Sequence, residues 1–139
     1  MRSAEMAFIA MEAAYHLGDQ ATALKELNDF RRKRINPYTD LTMSTLPAIR
    51  DDEYIKEDCY GNALTPLLYN ILVERRKELF MENADRFFEL KRNGRPEWWV
   101  RYKGLKYWNR KFMYTWPLPI ADIELQPKLI QNEGYDEAI

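Results

Sequence analysis

The sequence has few of the residues from which metal sites and nucleophiles are built. Its 139 residues include one cysteine, Cys59, and one histidine, His16. One cysteine cannot form an intrachain disulfide, and a single distant histidine leaves neither a zinc-ligand spacing nor a Ser-His-Asp triad to consider. We therefore predict no metal and no cofactor, and we interpret Cys59 as an ordinary, partly buried thiol.

An excess of one charge and a long apolar run are also missing. The 21 basic and 22 acidic residues give a formal net charge of −1, which does not favour binding to nucleic acid or to an anionic membrane. The first residues enter a helical pattern without the apolar run of a signal peptide. Hydrophobic residues make up 46% of the chain, enough to bury the core of about one domain.

Residues 1–35 are predicted to form a helical hairpin. Gly18 is a helix stop and Asp19 a helix cap, and so short a connection makes the two helices antiparallel neighbours. Apolar residues recur at helical spacing: Ala4, Ala7, Phe8, Met11, Ala14 and Tyr15 in the first helix, and Ala23, Leu24, Leu27, Phe30 and Ile35 in the second. The turn is similar to that of a tetratricopeptide-type repeat. Because such repeats bury their faces against neighbours, we expect an exposed apolar patch here.

Residues 36–63 read as a long loop with one short helix near residues 51–58, and residues 64–94 as one long helix. Thr65 can cap that helix, Pro66 fits its first position, and Gly94 can stop it. The helical stripe consists of Tyr69, Leu72, Arg76, Leu79, Phe80, Asn83, Phe87 and Leu90. Polar groups on such a stripe need partners.

Our hypothesis for these polar groups is a structural network. Arg75 or Arg76 with Glu78 and Asn83 would join the helix to the first hairpin and to backbone carbonyls of the terminal segment. Arginine suits this role because its planar head has five donors. Paired carboxylates can act as acid and base in glycoside cleavage, and the candidates for such a pair are Glu74, Glu78, Glu82 and Asp85. Ion pairing to nearby arginines explains them better, so we predict no catalytic residue and no enzyme.

Residues 95–139 form an aromatic and proline-rich closing segment. Trp98, Trp99, Tyr102, Tyr107 and Trp108 are the candidate ligand-binding residues, because aromatic rings pack on the C–H faces of sugars. The competing interpretation is that such rings are core or lid residues. Trp98 and Trp99 follow a turn, which favours them as the exposed pair. Alternation places Phe112, Tyr114 and Trp116 on one inward side of an extended run, followed by an extended Pro117–Ile120 segment.

The aromatic and basic mixture of this segment could also stack single-stranded nucleic acid. The balanced overall charge and the lack of a nucleic-acid-binding motif argue against that partner.

Three blocks of the sequence resemble the SusD/RagB family of nutrient-binding proteins. The family's ERR-containing signature is similar to residues 71–94, ILVERRKELFMENADRFFELKRNG. Its closing pattern is similar to residues 114–135, YTWPLPIADIELQPKLIQNEGY. The stretch from Arg2 to Arg34 resembles the family's helix pair. The departures are small: Phe8 and Met11 stand where Leu and Ala are typical, and Gln126 precedes Pro127 where Asn is commoner.

The resemblance implies a mostly α fold, with a tetratricopeptide-type hairpin, a long helix and an irregular aromatic-rich end. It implies non-catalytic capture of glycans or related nutrients and their delivery to a SusC-like TonB-dependent outer-membrane transporter. Family members are surface lipoproteins of the outer membrane with longer chains, so we expect residues 1–139 to be the C-terminal region of such a protein, partnered by its N-terminal remainder. The alternative is a helical-repeat interaction scaffold that binds no glycan.

Overall fold

A computed structural model describes residues 3–82, 85–126 and 128–135. The helices in this part of the chain are α1 (Ser3–His16), α2 (Gln20–Arg32), α3 (Pro66–Glu78), α4 (Asp85–Arg92) and α5 (Ile120–Leu125), with a 3-10 helix at Lys111–Tyr114. Strands β1 (Trp98–Tyr102) and β2 (Leu105–Asn109) form a two-stranded antiparallel sheet. The predicted mostly α fold class is confirmed.

Helices α1 and α2 form the predicted hairpin. The Asp19 carboxylate caps α2 by accepting a hydrogen bond from the backbone N–H of Thr22 at 3.0 Å. Gly18 adopts φ +85°, a conformation that glycine reaches without steric cost. Between the helices, the rings of Phe8 and Phe30 lie 4.6 Å apart in the core. The turn residues thus position two apolar stripes against each other.

A second apolar stripe on α1 faces outward. Its members follow one another at helical spacing and are all exposed: Met6, Ile9, Ala10, Ala13 and Leu17. Leu17 is 85% exposed. The predicted apolar patch is therefore present, on the face of α1 that points away from the core.

Helix α3 is the central element of the molecule and is buried around most of its circumference. Leu67 and Ile71 pack into the core shared with α1 and α2. Leu68 and Leu72 pack into a second core that contains Ile55 and side chains from α4 and the closing segment. A helix that is apolar on opposite sides has to be covered on both, and α3 consequently joins the two halves of the core.

The continuous helix predicted over residues 64–94 is wrong, although its ends are correct. Thr65 caps α3 through the Leu68 N–H, and Gly94 adopts φ +77° after α4. Between them, α3 ends at Glu78 and α4 begins at Asp85. Met81 has φ +60° and Phe80 is 74% exposed, so the predicted stripe does not continue through this turn.

The connection from α2 to α3 is irregular but held in place. The side chain of Asn28 accepts hydrogen bonds from Tyr38 Oη and Leu41 N and donates one to Leu41 O, while Asn70 donates to Pro47 O. The short helix predicted near residues 51–58 is wrong. Its carboxylates bind nearby backbone N–H groups instead, which favours turns over helix.

The closing segment is held together by residues of the QNEGY sequence. Gln131 exchanges hydrogen bonds with the backbone N–H and C=O of Leu118, and Asn132 donates to Trp116 O. The Tyr135 hydroxyl donates to Thr115 O, and its ring lies edge-on to Phe112 at 4.8 Å. These contacts give the closing sequence a structural role.

One prediction for this segment is wrong, and a second is wrong only at its last residue. Residues 111–114 form a 3-10 helix rather than an extended run, so Tyr114 is buried whereas Trp116 is 77% exposed. The run predicted over Pro117–Ile120 stops at Pro119, because Ile120 is the first residue of α5.

Candidate functional site

The β1–β2 hairpin sorts the predicted ligand-binding rings onto two faces. A two-residue turn at Lys103 and Gly104, both with positive φ, connects the strands, as expected for a tight hairpin. Opposed residues share a face, and successive residues alternate between faces. One face, here called the outer face, contains Trp99 opposite Trp108 and Arg101 opposite Lys106; the other contains Trp98, Val100, Tyr102, Leu105, Tyr107 and Asn109.

Trp98 anchors the hairpin to the core. It is partly buried and lies 5.6 Å from Tyr54 and 6.0 Å from Tyr114, ring centroid to ring centroid. Tyr114 donates a hydrogen bond to Pro96 O, and burial raises the pKa of its phenol to about 12. The expectation that Trp98 and Trp99 form one exposed pair is therefore wrong, because they lie on opposite faces.

The outer face combines indoles with cations. The Trp99 and Trp108 rings lie 5.0 Å apart with their planes tilted by 54°, and Trp99 is 62% exposed. Arg101 and Lys106 come next along the same face and are exposed. An exposed indole beside charged donors can pack on an apolar ring face while the donors bind oxygen atoms.

Tyr102 and Tyr107 lie on the opposite face, beyond the part that Trp98 anchors. They are 61% and 49% exposed, and the Lys103 ammonium lies 5.3 Å from the Tyr102 ring centroid. The five candidate rings therefore divide into Trp99 with Trp108, Tyr102 with Tyr107, and the anchor Trp98.

A cleft of about 440 Å³, lined by several charged side chains, adjoins the base of the hairpin. Residues 53–57 and 93–97 form its walls, and Tyr54 connects it to Trp98. The carboxylates of Glu57 and Glu97 and the cations of Arg95 and Lys111 are among its lining groups. Such a mixture of carboxylates and cations can hydrogen-bond the hydroxyl groups of a ligand.

The arginines of α3 lie at the centre of an ion-pair network. Arg75 Nη1 donates to Glu12 Oε1 of α1 at 3.0 Å, and its Nη2 donates to Asp85 Oδ1 of α4 at 2.7 Å. Arg92 also pairs with Glu12. Burial lowers the pKa of Arg75, but its hydrogen bonds and charge interactions with Asp85 and Glu12 outweigh this and raise it. Arg75 thus joins α3 to the first hairpin and to α4.

Arg76 makes the corresponding contacts on the other side of α3. Its Nη1 donates to Glu53 Oε2 at 2.8 Å and its Nε to Glu89 Oε2 at 3.1 Å. Arg86 adds a bond to Glu89 at 2.5 Å. Glu53 and Glu89 are buried, so these arginines compensate charges that would otherwise lie without partners in the interior.

The predicted network therefore differs from the observed one in its acceptors. Carboxylates, not backbone carbonyls of the terminal segment, receive the hydrogen bonds of Arg75 and Arg76. Glu78 belongs to a separate pair with Arg34 at 2.9 Å, and Asn83 lies outside the described residues. Sequence reasoning missed Glu12 and Glu53 because they are distant in sequence, although an acidic residue among the apolar residues of α1 was a usable signal.

Cys59, His16 and Asp58 meet in space. Cys59 Sγ lies 3.6 Å from His16 Nε2, and His16 Nδ1 lies 3.9 Å from Asp58 Oδ2. The order resembles that of a thiol activated by an imidazole. Burial and the Asp58 charge, however, raise the pKa of the Cys59 thiol, which disfavours the nucleophilic thiolate. We interpret the group as structural.

In the part of the chain that the structure describes, no cluster of three His, Cys, Asp or Glu side chains could hold a metal ion. None of the described helices has the length and apolar character needed to cross a membrane.

Comparison with models of known protein families assigns the chain to one family. Residues 1–135 match the model of the SusD family, and the chain therefore belongs to that family. No curated protein and no solved structure matches it. Membership indicates binding of glycans or other nutrients, in a family of non-catalytic surface lipoproteins that work with SusC-like transporters.

Proposed function

We propose that this chain takes part in the capture of glycans or related nutrients at the cell surface and in their delivery to a SusC-like TonB-dependent transporter of the outer membrane. The family match over residues 1–135 is the observation that carries the proposal. The protein would be a surface-exposed lipoprotein. Its action is non-covalent, and the raised pKa of the Cys59 thiol supports a role without catalysis.

The indoles of the outer face, exposed Trp99 and half-buried Trp108, are the proposed contact surface for the nutrient. Trp99 and Trp108 present aromatic area that the core does not use. The C–H face of a pyranose can pack on such a ring while its hydroxyl groups bind neighbouring donors. Tyr102 and Tyr107 offer a second contact on the opposite face, and Trp98 holds the hairpin in position.

The outward stripe of α1 supports a larger assembly. In helical-repeat proteins, each hairpin buries such a face against the next hairpin. A single hairpin is therefore not stable without neighbouring repeats. We propose that the described region is the C-terminal part of a longer chain, and that the stripe packs on its N-terminal remainder. The same stripe favours the competing function, a scaffold that binds proteins and ignores glycans.

Calorimetric titration with a panel of neutral and acidic oligosaccharides separates these functions. Capture predicts saturable binding by the chain that Trp99→Ala weakens and that Leu17→Ser leaves unchanged, since Leu17 lies on the stripe of α1. A chain that binds none of the sugars, or one whose binding is insensitive to Trp99→Ala, would contradict the proposed site. Co-purification with the SusC-like transporter of the same cell tests delivery.

A further inference from the structure

The outer face of the hairpin places two cations directly opposite each other. Arg101 and Lys106 are cross-strand partners, so their Cβ atoms are about 5 Å apart. Like charges in this arrangement destabilise a hairpin. Neither side chain makes an ion pair with a carboxylate in the described residues. The pair therefore costs stability without a compensating contact within this part of the chain.

This arrangement contrasts with that of several arginines elsewhere in the described residues. The arginines of α3 have carboxylate partners, and even the exposed Arg50 pairs with Asp52 at 2.8 Å. Arg101 and Lys106 differ from these arginines in having no carboxylate partner among the described residues. An anion bound between the two side chains would relieve their repulsion.

The cation pair is adjacent to the indole pair. Alternate residues on a strand point to the same face, so Arg101 follows Trp99 at about 7 Å along β1, and Lys106 precedes Trp108 by the same step on β2. An apolar ring face and a negative group of one ligand can therefore be bound by neighbouring positions of the outer face.

We propose that the outer face binds acidic oligosaccharides, with Trp99 and Trp108 packing on sugar rings and Arg101 and Lys106 binding uronate carboxylates. The inference rests on the proposed glycan capture and narrows its ligand class. Guanidinium and ammonium donors form charge-assisted hydrogen bonds with carboxylates. Because the pair is exposed, its contribution depends on salt.

The test compares an oligogalacturonate with its methyl ester, which retains the sugar rings and loses the charges. Calorimetry at low ionic strength is expected to show about tenfold tighter binding of the acid, since two exposed ion pairs at about 0.7 kcal/mol each correspond to that factor. The preference should shrink toward equality near 1 M salt, where the Debye length is about 3 Å.

Charge-removing variants assign the preference to the outer face. The double variant Arg101→Gln/Lys106→Gln should bind acid and ester equally and melt at or above the temperature of the unmodified protein. The matched control Lys33→Gln/Lys128→Gln removes two exposed charges elsewhere and should retain the preference. A control that loses the preference equally would show that net charge is responsible and overturn the site.

The remaining outcomes separate this inference from the proposed function. Equal binding of acid and ester, weakened by Trp99→Ala, would reject the acidic ligand class and leave glycan capture standing. Absence of binding to these sugars and to the neutral panel would reject both. Oligothymidylate that binds as tightly as the acidic sugar through Arg101 would show a general polyanion surface and overturn the glycan assignment.

Discussion

The helical framework and the β1–β2 hairpin treat charge and aromatic surface in opposite ways. In the framework, Arg75 and Arg76 are surrounded by carboxylates, and the large apolar side chains of α3 are buried. In the hairpin, Arg101 and Lys106 face each other, and Trp99 is exposed. The charged groups of the framework are thus paired with each other, whereas Arg101 and Lys106 of the hairpin have no carboxylate partner among the described residues.

The largest effect should come from removing an arginine of the framework. Arg76→Ala leaves the buried carboxylate of Glu53 without its main partner and removes one of the ion pairs of Glu89. We therefore expect the free energy of unfolding to fall by about 3 kcal/mol. Urea denaturation measures it. An unchanged midpoint would mean that the network contributes nothing and would remove the contrast between the two regions.

The break between α3 and α4 has its physical reason in the same network. On a continuous helix, Arg75 and Asp85 would be about 15 Å apart along the axis, since each residue rises about 1.5 Å. In the structure their side chains are in contact at 2.7 Å. The turn lets α4 fold back so that its acids reach the arginines of α3. Apolar spacing alone could not reveal this, because the stripe continues in sequence through Phe80 into α4.

The second prediction distinguishes two neighbouring tryptophans. Trp98→Ala removes the packing against Tyr54 and Tyr114 and should cost about 2 kcal/mol of stability, below the range for a fully buried ring. Trp99→Ala should change stability by less than about 0.5 kcal/mol and instead weaken sugar binding. Denaturation and titration of both variants check this. Equal losses of stability in the two variants would show that Trp99 also packs against the core, and would contradict the distinction between the two faces.

The third prediction concerns pH. Burial opposes ionisation of Glu53, but hydrogen bonds from Arg76 and the Ile55 N–H outweigh it and lower its pKa below 4.5. A lowered folded-state pKa stabilises the protein above the ordinary value, and this contribution is lost as pH falls through the folded value. The stability difference between the parent protein and Glu53→Gln should therefore shrink between pH 7 and pH 3. Denaturation at several pH values measures this difference. A difference that stays constant from pH 7 to pH 3 would contradict the lowered pKa of Glu53.

The smallest effect belongs to an exposed ion pair. Arg50 and Asp52 lie on the surface, both 70% exposed, so Arg50→Gln should change the free energy of unfolding by less than about 0.5 kcal/mol. This variant is the matched control for Arg76→Ala in the same denaturation series. A loss as large as that of Arg76→Ala would show that burial does not decide the value of these pairs.

Local signals in the sequence were reliable where a single residue determines the backbone. Gly18 with Asp19, Thr65 with Pro66, and Gly94 mark element ends correctly because capping and positive φ depend on the residue itself. Ion pairs between residues far apart in sequence could not be predicted from such local signals. Glu12 and Glu53 approach the arginines of α3 only after the chain has folded.

The hairpin illustrates the same limit at the candidate site. Its aromatic composition was visible, and the tight turn at Lys103 and Gly104 fixes the register. Without that register, Trp98 and Trp99 read as one exposed pair. A single step along a strand reverses the face of a side chain, so which rings share a face could be read only from the strand pairing.

Two-dimensional NMR of the indole N–H groups during titration with oligosaccharide tests the central assignment most directly, because each of the four tryptophans has its own signal. We predict saturable shifts for Trp99 and Trp108, with smaller changes for the core-packed Trp98 and for Trp116, which is exposed but lies outside the hairpin. Shifts confined to Trp116, or equal at all four, would contradict the outer face of the hairpin as the capture surface.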